Sequence, residues 1–428
     1  MTEATMGEWD VAVVGGGLAG LVAAATATDA GRRVVLVEPR PPGGRARCDE
    51  HDGYVLNRGP RALYLGGPGH QVLEALGVDV SSGGPPPTHG ARIALGGRLH
   101  RAPDGPAGLL RTTALTGREK VALGRALAAV PKLDASSLVG TTVAAWLDEL
   151  GLCGAPRALA EAYVRLATYV DAPDALDAGA AVANLQAAIG PGVRYLDGGW
   201  QSIVDALADG HRCTVVGAAA TAVAAEASGA SVAITTDTGL LRARAAVVAV
   251  GTPSAARSLL GPAADDDLAT VGPPVTAACL ELGLRRPSGH PFVIGVDDGI
   301  YLSAHAPAAR LAPPGGALVH VLRYHRVGEP TDAEADRALL WRAAERAGIA
   351  VDDVAVDRFL ARMVVSGALP RRPPAAGPVG RPWPPSTGPG SCWPATGSAR
   401  RMLADAAIAS GHRAGRHAAE RSATMAVP

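Results

Sequence analysis

The sequence predicts an α/β protein with a doubly wound nucleotide-binding domain and a second, α+β domain. Three observations point there. A strand, a glycine-rich turn, a helix and a second strand follow one another between Asp10 and Glu38. Short strands separated by Gly-containing turns fill residues 213–250. Two further blocks remain: a largely helical one, Leu76–Gly190, and one from about Pro273 to Leu369 that mixes strands with an amphipathic helix. With 428 residues the chain is long for one core and suits two domains.

The N-terminal elements carry the strongest signal. Asp10–Val14 reads as a buried strand, and Gly15-x-Gly17-x-x-Gly20 follows at once. The spacing predicts a helix from about Leu18 to Ala30, stopped by Gly31, and then a strand, Val34–Val37, that ends in Glu38. In this Rossmann-type arrangement Gly15 permits the tight turn, Gly17 lets backbone approach a pyrophosphate, and Gly20 lets helix and strand pack closely. The first turn, with Leu18 and Ala19, offers free N–H groups and a partial positive charge to a phosphate. Glu38 stands at the spacing of a carboxylate that binds adenosine ribose hydroxyls, with Pro39 and Arg40 beside it.

Composition narrows the function. Apolar residues make up 48% and charged residues 19%, as in ordinary globular proteins. Lys+Arg equals Asp+Glu at 40 each, which argues against nucleic acid as a partner. Basic charge is almost all arginine, with lysine only at 120 and 132. The five cysteines are odd in number and far apart, so neither a disulfide framework nor a zinc site is expected, and the cytoplasm is the expected compartment. The polar start "MTEATMGEWD" does not read as a signal peptide, and no apolar run approaches a membrane span. Neither metal-ligand spacing nor a nucleophile elbow is present, and no catalytic residue is assigned.

After the second strand come Gly43-Gly44-Arg45 and then "GYVLNRGPRALY", Gly53–Tyr64. The first resembles the glycine-pair-and-arginine element of the FAD-dependent amine oxidase, protoporphyrinogen oxidase and phytoene desaturase superfamily. The second resembles the segment with which those proteins approach the flavin. The resemblance implies FAD as cofactor, with Gly44, Arg45, Arg61 and Ala62 near its phosphates or ring. A guanidinium, always charged and forked, suits such edges. "YLDGGWQSIVDALAD" (Tyr195–Asp209) is similar to the family's return to the FAD domain, and Ala220 falls at its adenine-contact position. The implied organisation interleaves FAD-binding segments 7–75, 191–265 and 370–428 with substrate-domain segments 76–190 and 266–369. "TAACLELGL", "FVIGV", "GIYLSAH" and "ALVHVLRYH" would wall the pocket. Arg323, Tyr324 and His325, at the end of the last, read as strand residues satisfied locally.

The C-terminal stretch "MLADAAIASGHRAG" resembles the family's final helix, here ending at Ser410-Gly411, with Met402 and Leu403 at the flavin. The Asp that precedes this helix in the family is missing, and Ala395-Thr396-Gly397 stand in its place. If Ser391–Arg401 is written in GC-rich codons and read one nucleotide earlier, it yields "VLLAGDW", which contains the missing element. This is consistent with an out-of-frame stretch from about Arg371 to Arg401. As written, that stretch is expected to be irregular, without a central strand, and to retain FAD weakly.

The resemblance implies hydride transfer to FAD from a C–H or C–N bond of a small, apolar, isoprenoid-like molecule. The desaturase-like branch is favoured, because many amine oxidases carry a lysine near the flavin and this chain has none after Lys132. In such an enzyme the cofactor supplies the chemistry and the protein supplies position and electrostatics. The alternatives are a flavin amine oxidase and a non-catalytic or crippled binding protein on the same fold. A small-molecule substrate is the expected partner, and peripheral membrane contact is compatible with it. The sequence leaves the oligomeric state, the electron acceptor and the substrate's identity open.

Overall fold

The structure is a computed structural model that describes residues 9–211, 213–227, 229–264, 272–370, 391–392 and 402–424. Two seven-stranded sheets organise it. The first comprises β1 (Trp9–Val14), β2 (Val34–Val37), β9 (Thr214–Val216), β10 (Ala220–Ala225), β11 (Val232–Thr236), β12 (Gly239–Val248) and β18 (Ser391–Cys392). The second comprises β6 (Arg92–Leu95), β7 (Arg98–Arg101), β13 (Val275–Leu284), β14 (Phe292–Gly295), β15 (Ile300–Ala306), β16 (Ala317–Tyr324) and β17 (Val354–Ser366). Two ribbons, β3 (Asp49–His51) with β4 (Tyr54–Leu56) and β5 (Leu63–Tyr64) with β8 (Val193–Arg194), link them.

In the first sheet β12, β1, β2 and β9 run parallel. Their strands are short apolar runs, as expected where both faces are covered. One face packs on α1 (Leu18–Asp29), α8 (Gln201–Gly210) and α11 (Leu403–Thr424), through a core that includes Val11, Val22, Ile203 and Ile408. The other face packs on the β10–β11–β12 meander, through Val14, Val37, Ile234 and Leu241. Ala220 opens β10 and packs against this second core.

The second sheet runs β17-β13-β16-β15-β14-β6-β7. One face meets α10 (Ala333–Arg346), and the other meets α6 (Gly154–Thr168), as the cores around Leu340 and Leu159 show. The remaining helices are α2 (Pro68–Ala75), α3 (Pro106–Arg111), α4 (Gly117–Ala129), α5 (Val143–Glu149), α7 (Ala178–Ile189) and α9 (Pro253–Leu260). No helix among the described residues is long and apolar enough to cross a membrane.

The structure refines two expectations and corrects a third. The largely helical block Leu76–Gly190 also holds the β6–β7 hairpin, which turns at Gly96-Gly97 and forms the edge of the second sheet. The last helix does not end at Ser410-Gly411 but runs to Thr424. Gly411 and Gly415 are packing glycines there, because a Cβ would lie 2.3 Å and 2.5 Å from the carbonyl oxygens of Ala19 and Ala23 on α1. Within the stretch expected to lack a central strand, the two residues Ser391–Cys392 pair in parallel with Ala246–Val247 of β12. The rest of that stretch, including Pro394 and the position of the missing Asp at Thr396, lies outside the described residues.

Candidate functional site

The glycine loop is built by close backbone approach. Gly15 has φ +103°, and a Cβ there would lie 2.7 Å from the Ala249 carbonyl oxygen. A Cβ on Gly20 would lie 1.9 Å from the Gly15 carbonyl oxygen. Gly17 differs: its φ is −72°, and a Cβ would meet nothing within 4 Å. Open space therefore faces Gly17. The helix it caps has neither a side-chain cap nor an acid in its first turn, so the N–H groups of Leu18, Ala19 and Gly20 are available.

Glu38 reaches back to this loop. Its carboxylate accepts the Gly16 N–H (2.8 Å) and the Arg40 N–H (3.1 Å), while the exposed Arg40 side chain stands 3.9 Å away and Pro39 is exposed between them. The second glycine pair lies across the first. Gly43 donates its N–H to the Gly16 carbonyl (2.6 Å) and bridges Gly17. A Cβ on Gly44 would lie 3.2 Å from the Gly17 Cα.

Arg45 and Arg61 are not surface residues. Arg45 Nη1 donates to the Val364 carbonyl on β17 (2.7 Å). Arg61 Nη2 donates to the Arg45 carbonyl (3.0 Å), and its Nε has no partner. Both keep some accessible surface but are densely surrounded by protein. Burial, and then the Arg61 charge, bring Arg45 down to about 10, and burial pushes Arg61 down as well. Arg45 stays protonated at neutral pH. Neither arginine forms an ion pair with a carboxylate among the described residues, and the nearest charge of opposite sign acting on Arg61 is that of the buried Glu281.

Beside them opens a cavity of about 790 Å³. Arg61 and Ala62 form part of its floor, and Leu403 and Ala404, at the N-terminus of α11, form another part. Leu403 takes φ +57°, unusual for a branched residue, and Met402 behind it is fully buried. The walls are Leu109, Leu127, Leu166, Leu185, Met363 and Val365 together with aromatic rings. Five of the chain's seven tyrosines line it: Tyr64, Tyr163, Tyr169, Tyr195 and Tyr301. Phe292 and Tyr301 come from β14 and β15, but β13 and β16 contribute no wall. In place of "TAACLELGL" and "ALVHVLRYH", β17 and helices α3, α4, α6 and α7 close it. Arg323 and His325 are held by Asp336, which leaves them outside the cavity.

Four of the cavity tyrosines have partners. Tyr64 donates to the Ala167 carbonyl, Tyr163 to the Pro103 carbonyl, and Tyr195 shares bonds with Ser303 (2.6 Å) and Tyr301 (3.3 Å). Burial raises all of them, so they stay neutral and present apolar faces. The loop Arg58–Ala62 is fixed from behind by Glu281 on β13, whose Oε1 accepts the Gly59 N–H at 2.7 Å. Asn57 Oδ1 accepts the Trp200 N–H at 2.9 Å, which ties "GYVLNRGPRALY" to "YLDGGW". Sequence reasoning singled out the glycines, Glu38 and both arginines as candidates. It missed the tyrosine lining and Glu281. The one available signal for the latter was a lone carboxylate inside an apolar strand, which must find partners when buried. The described residues contain no group of three His, Cys, Asp or Glu side chains able to hold a metal.

Comparisons with known proteins agree with this geometry. The family model for flavin containing amine oxidoreductase matches residues 18–287, more than half of the chain. A search of curated proteins finds no match. Among solved structures, an oxidoreductase from Methanosarcina mazei is similar with a TM-score of 0.71 at 17% identity, covering 94% of this chain and 98% of that one. Cyclohexylamine oxidase from Brevibacterium oxydans gives 0.70 at 18% identity, covering 96% and 99%. Putrescine oxidase bound to putrescine gives 0.69 at 15% identity, covering 96% and 98%. At these identities the structures establish the fold, and the family model establishes the family. The chain belongs to the flavin-containing amine oxidoreductase family and is an FAD-dependent oxidoreductase.

Proposed function

We propose that the enzyme dehydrogenates a C–H bond of an apolar, isoprenoid-like molecule and is not an amine oxidase. The observation that carries this reading is the composition of the cavity wall. Among the described residues it is aliphatic and aromatic, its only charged members are Arg58 and Arg61, and no Asp or Glu lines it. A protonated amine would enter beside guanidinium groups, with no carboxylate on the described wall to receive it, whereas a neutral apolar molecule loses nothing there.

In this reading FAD extends along the two glycine motifs. Glu38, with Pro39 and Arg40, holds the adenosine ribose, and Ala220 lies at the adenine. Gly15, Gly17 and the first turn of α1 hold the pyrophosphate, with Gly44 and Arg45. Arg61, Ala62, Met402 and Leu403 lie at the ring. Three features support the fit: the open space at Gly17, the uncapped α1 N-terminus and the orphaned Arg61 Nε. When bound, FAD supplies the hydride acceptor. The protein excludes water with the apolar wall, orients the substrate between rings, and keeps its phenols neutral. The division into FAD-binding segments 7–75, 191–265 and 370–428 and substrate segments 76–190 and 266–369 belongs to this reading. The test is anaerobic mixing of the holoenzyme with a panel of acyclic isoprenoids and a panel of primary amines. Loss of the visible flavin absorbance is expected with isoprenoids. Bleaching by amines alone would overturn the assignment.

Peripheral membrane contact is part of the same reading. The helices that close the cavity carry exposed apolar side chains: Leu110 (75% exposed) and Val121 (53%) on α3 and α4, and Ile189 (51%) at the end of α7. Over Pro106–Lys132, Arg111, Arg118, Lys120, Arg125 and Lys132 stand against Glu119 alone, although the whole chain is neutral. Such a surface suits an anionic bilayer. We expect co-sedimentation with phosphatidylserine-containing vesicles, weakened by salt and by Leu110→Asp with Val121→Asp. Equal recovery of parent and double variant with the vesicles would refute the contact.

A further inference from the structure

Among the cavity tyrosines, Tyr169 stands apart. It ends α6 in the left-handed region, with φ 59° and ψ 23°, a conformation that a non-glycine residue adopts only at a cost. Its ring is wedged edge-on between Tyr301 (6.4 Å between centroids) and Tyr324 (5.8 Å). It lines the cavity, and unlike Tyr64, Tyr163, Tyr195 and Tyr301 its phenol has no hydrogen-bond partner among the described residues. A backbone held in a sparsely populated conformation at a ligand cavity is the kind of strain that positions a side chain for use. The phenol lies within electrostatic reach of the Arg61 guanidinium. Among the described residues the wall therefore offers an unbonded phenol close to a guanidinium charge, and no carboxylate.

We infer that Tyr169, with Arg61, is the specificity-determining pair that receives an acceptor oxygen on the substrate, so that the preferred molecule is an apolar chain carrying a hydroxyl, carbonyl or carboxylate. This rests on reading the cavity as the substrate site and names the substrate class that fits it. Burial raises the Tyr169 phenol well above its usual range, so it remains a donor throughout the working pH range. Arg61 adds charge, which favours an anionic oxygen and disfavours an ammonium group.

The test uses three ten-carbon isoprenoid probes, geranate, geraniol and geranylammonium, titrated into FAD-loaded enzyme and read by perturbation of the flavin spectrum. Binding needs no turnover, so the result stands apart from whether isoprenoids are oxidised. We expect geranate and geraniol to bind at least about tenfold more tightly than geranylammonium. Tyr169→Phe keeps the ring packing. It should weaken the two oxygen-bearing probes by about tenfold while leaving geranylammonium binding, and the FAD affinity of the apoprotein, unchanged. Three results would overturn the inference: equal binding of all three probes or of none, no effect of Tyr169→Phe, or loss of FAD affinity in that variant, which would assign the phenol to the cofactor.

Discussion

Gly17→Val is expected to fold like the parent and to purify without flavin. The two halves of this result have separate causes. A Cβ at Gly17 meets no atom of the protein within 4 Å, and φ −72° is open to any residue, so nothing in the fold resists the side chain. The space it fills is the space in front of the α1 N-terminus, where Leu18, Ala19 and Gly20 present their N–H groups. A branched side chain there keeps a pyrophosphate from those donors and from the positive end of the helix. Loss of two or more charge-assisted hydrogen bonds is worth roughly 3 kcal/mol or more, so FAD affinity should fall by at least about 100-fold. The visible flavin absorbance of the purified protein and its thermal midpoint read the two effects separately. Gly20→Ala is the contrast. Its Cβ would lie 1.9 Å from the Gly15 carbonyl, so that variant should lose stability and flavin together. A Gly17→Val protein that carries FAD as tightly as the parent would show that the cofactor lies elsewhere.

The contrast between these two glycines shows what the sequence could and could not reveal. A strand, a turn with fixed glycine spacing and a helix form a local unit, so Gly15, Gly17, Gly20 and Glu38 were legible from some thirty residues of sequence. The mixed strand block was legible for the same reason, since β13 to β16 fall where their apolar runs lie. Gly411 was misread as a helix end because a glycine after a serine commonly terminates a helix. What keeps the helix going is a distant partner, the α1 backbone against which only glycine fits. The β6–β7 hairpin itself carried a local signal, the Gly96-Gly97 turn between two short strands, but its place in the second sheet did not: its neighbour there, β14, lies about two hundred residues on.

The cavity is the extreme case. Tyr64, Tyr163, Tyr169, Tyr195 and Tyr301 come from four separate segments, and each has an unremarkable neighbourhood in sequence. Only the fold makes them one wall. Arg45 and Arg61 sit between these extremes. Their motif marked them as candidates for a ligand. That neither forms an ion pair with a carboxylate among the described residues, and that Arg61 lines the cavity while Arg45 bonds to β17, follows from what the structure puts around them.

Glu281 links this cavity to the stability of the whole second sheet, and Glu281→Ala should be among the most destabilising single changes in the chain. Glu281 is fully buried on β13. It accepts the Gly59 N–H at 2.7 Å, stands 3.2 Å from His320 Nε2, and pairs with Arg358 of β17 at 2.5 Å. Arg358 continues to Asp49 (2.6 Å), and Asp49 to Arg58 (2.9 Å), which forms part of the cavity rim. Burial alone would raise the Glu281 carboxyl. The hydrogen bonds and charges of His320 and Arg358 outweigh that and hold it at about 2, below its ordinary 4.5. Removing it leaves a guanidinium and a backbone N–H without their partner, which costs roughly 3–5 kcal/mol. A depressed carboxyl contributes stability that is complete above its unfolded pKa and is lost as the pH falls through the folded one. This group's contribution should therefore be present above pH 4.5 and fade from there toward about 2. Glu281→Gln, which keeps the shape but cannot ionise, should be less stable than the parent at neutral pH and should approach it at the acid end of that window. The Gly59 contact adds a functional consequence, since a loosened Arg58–Ala62 loop would also weaken binding in the cavity. Denaturant unfolding of parent and Gln variant across the window measures the difference. A constant gap at every pH would mean that Glu281 is not the ionised centre of this network.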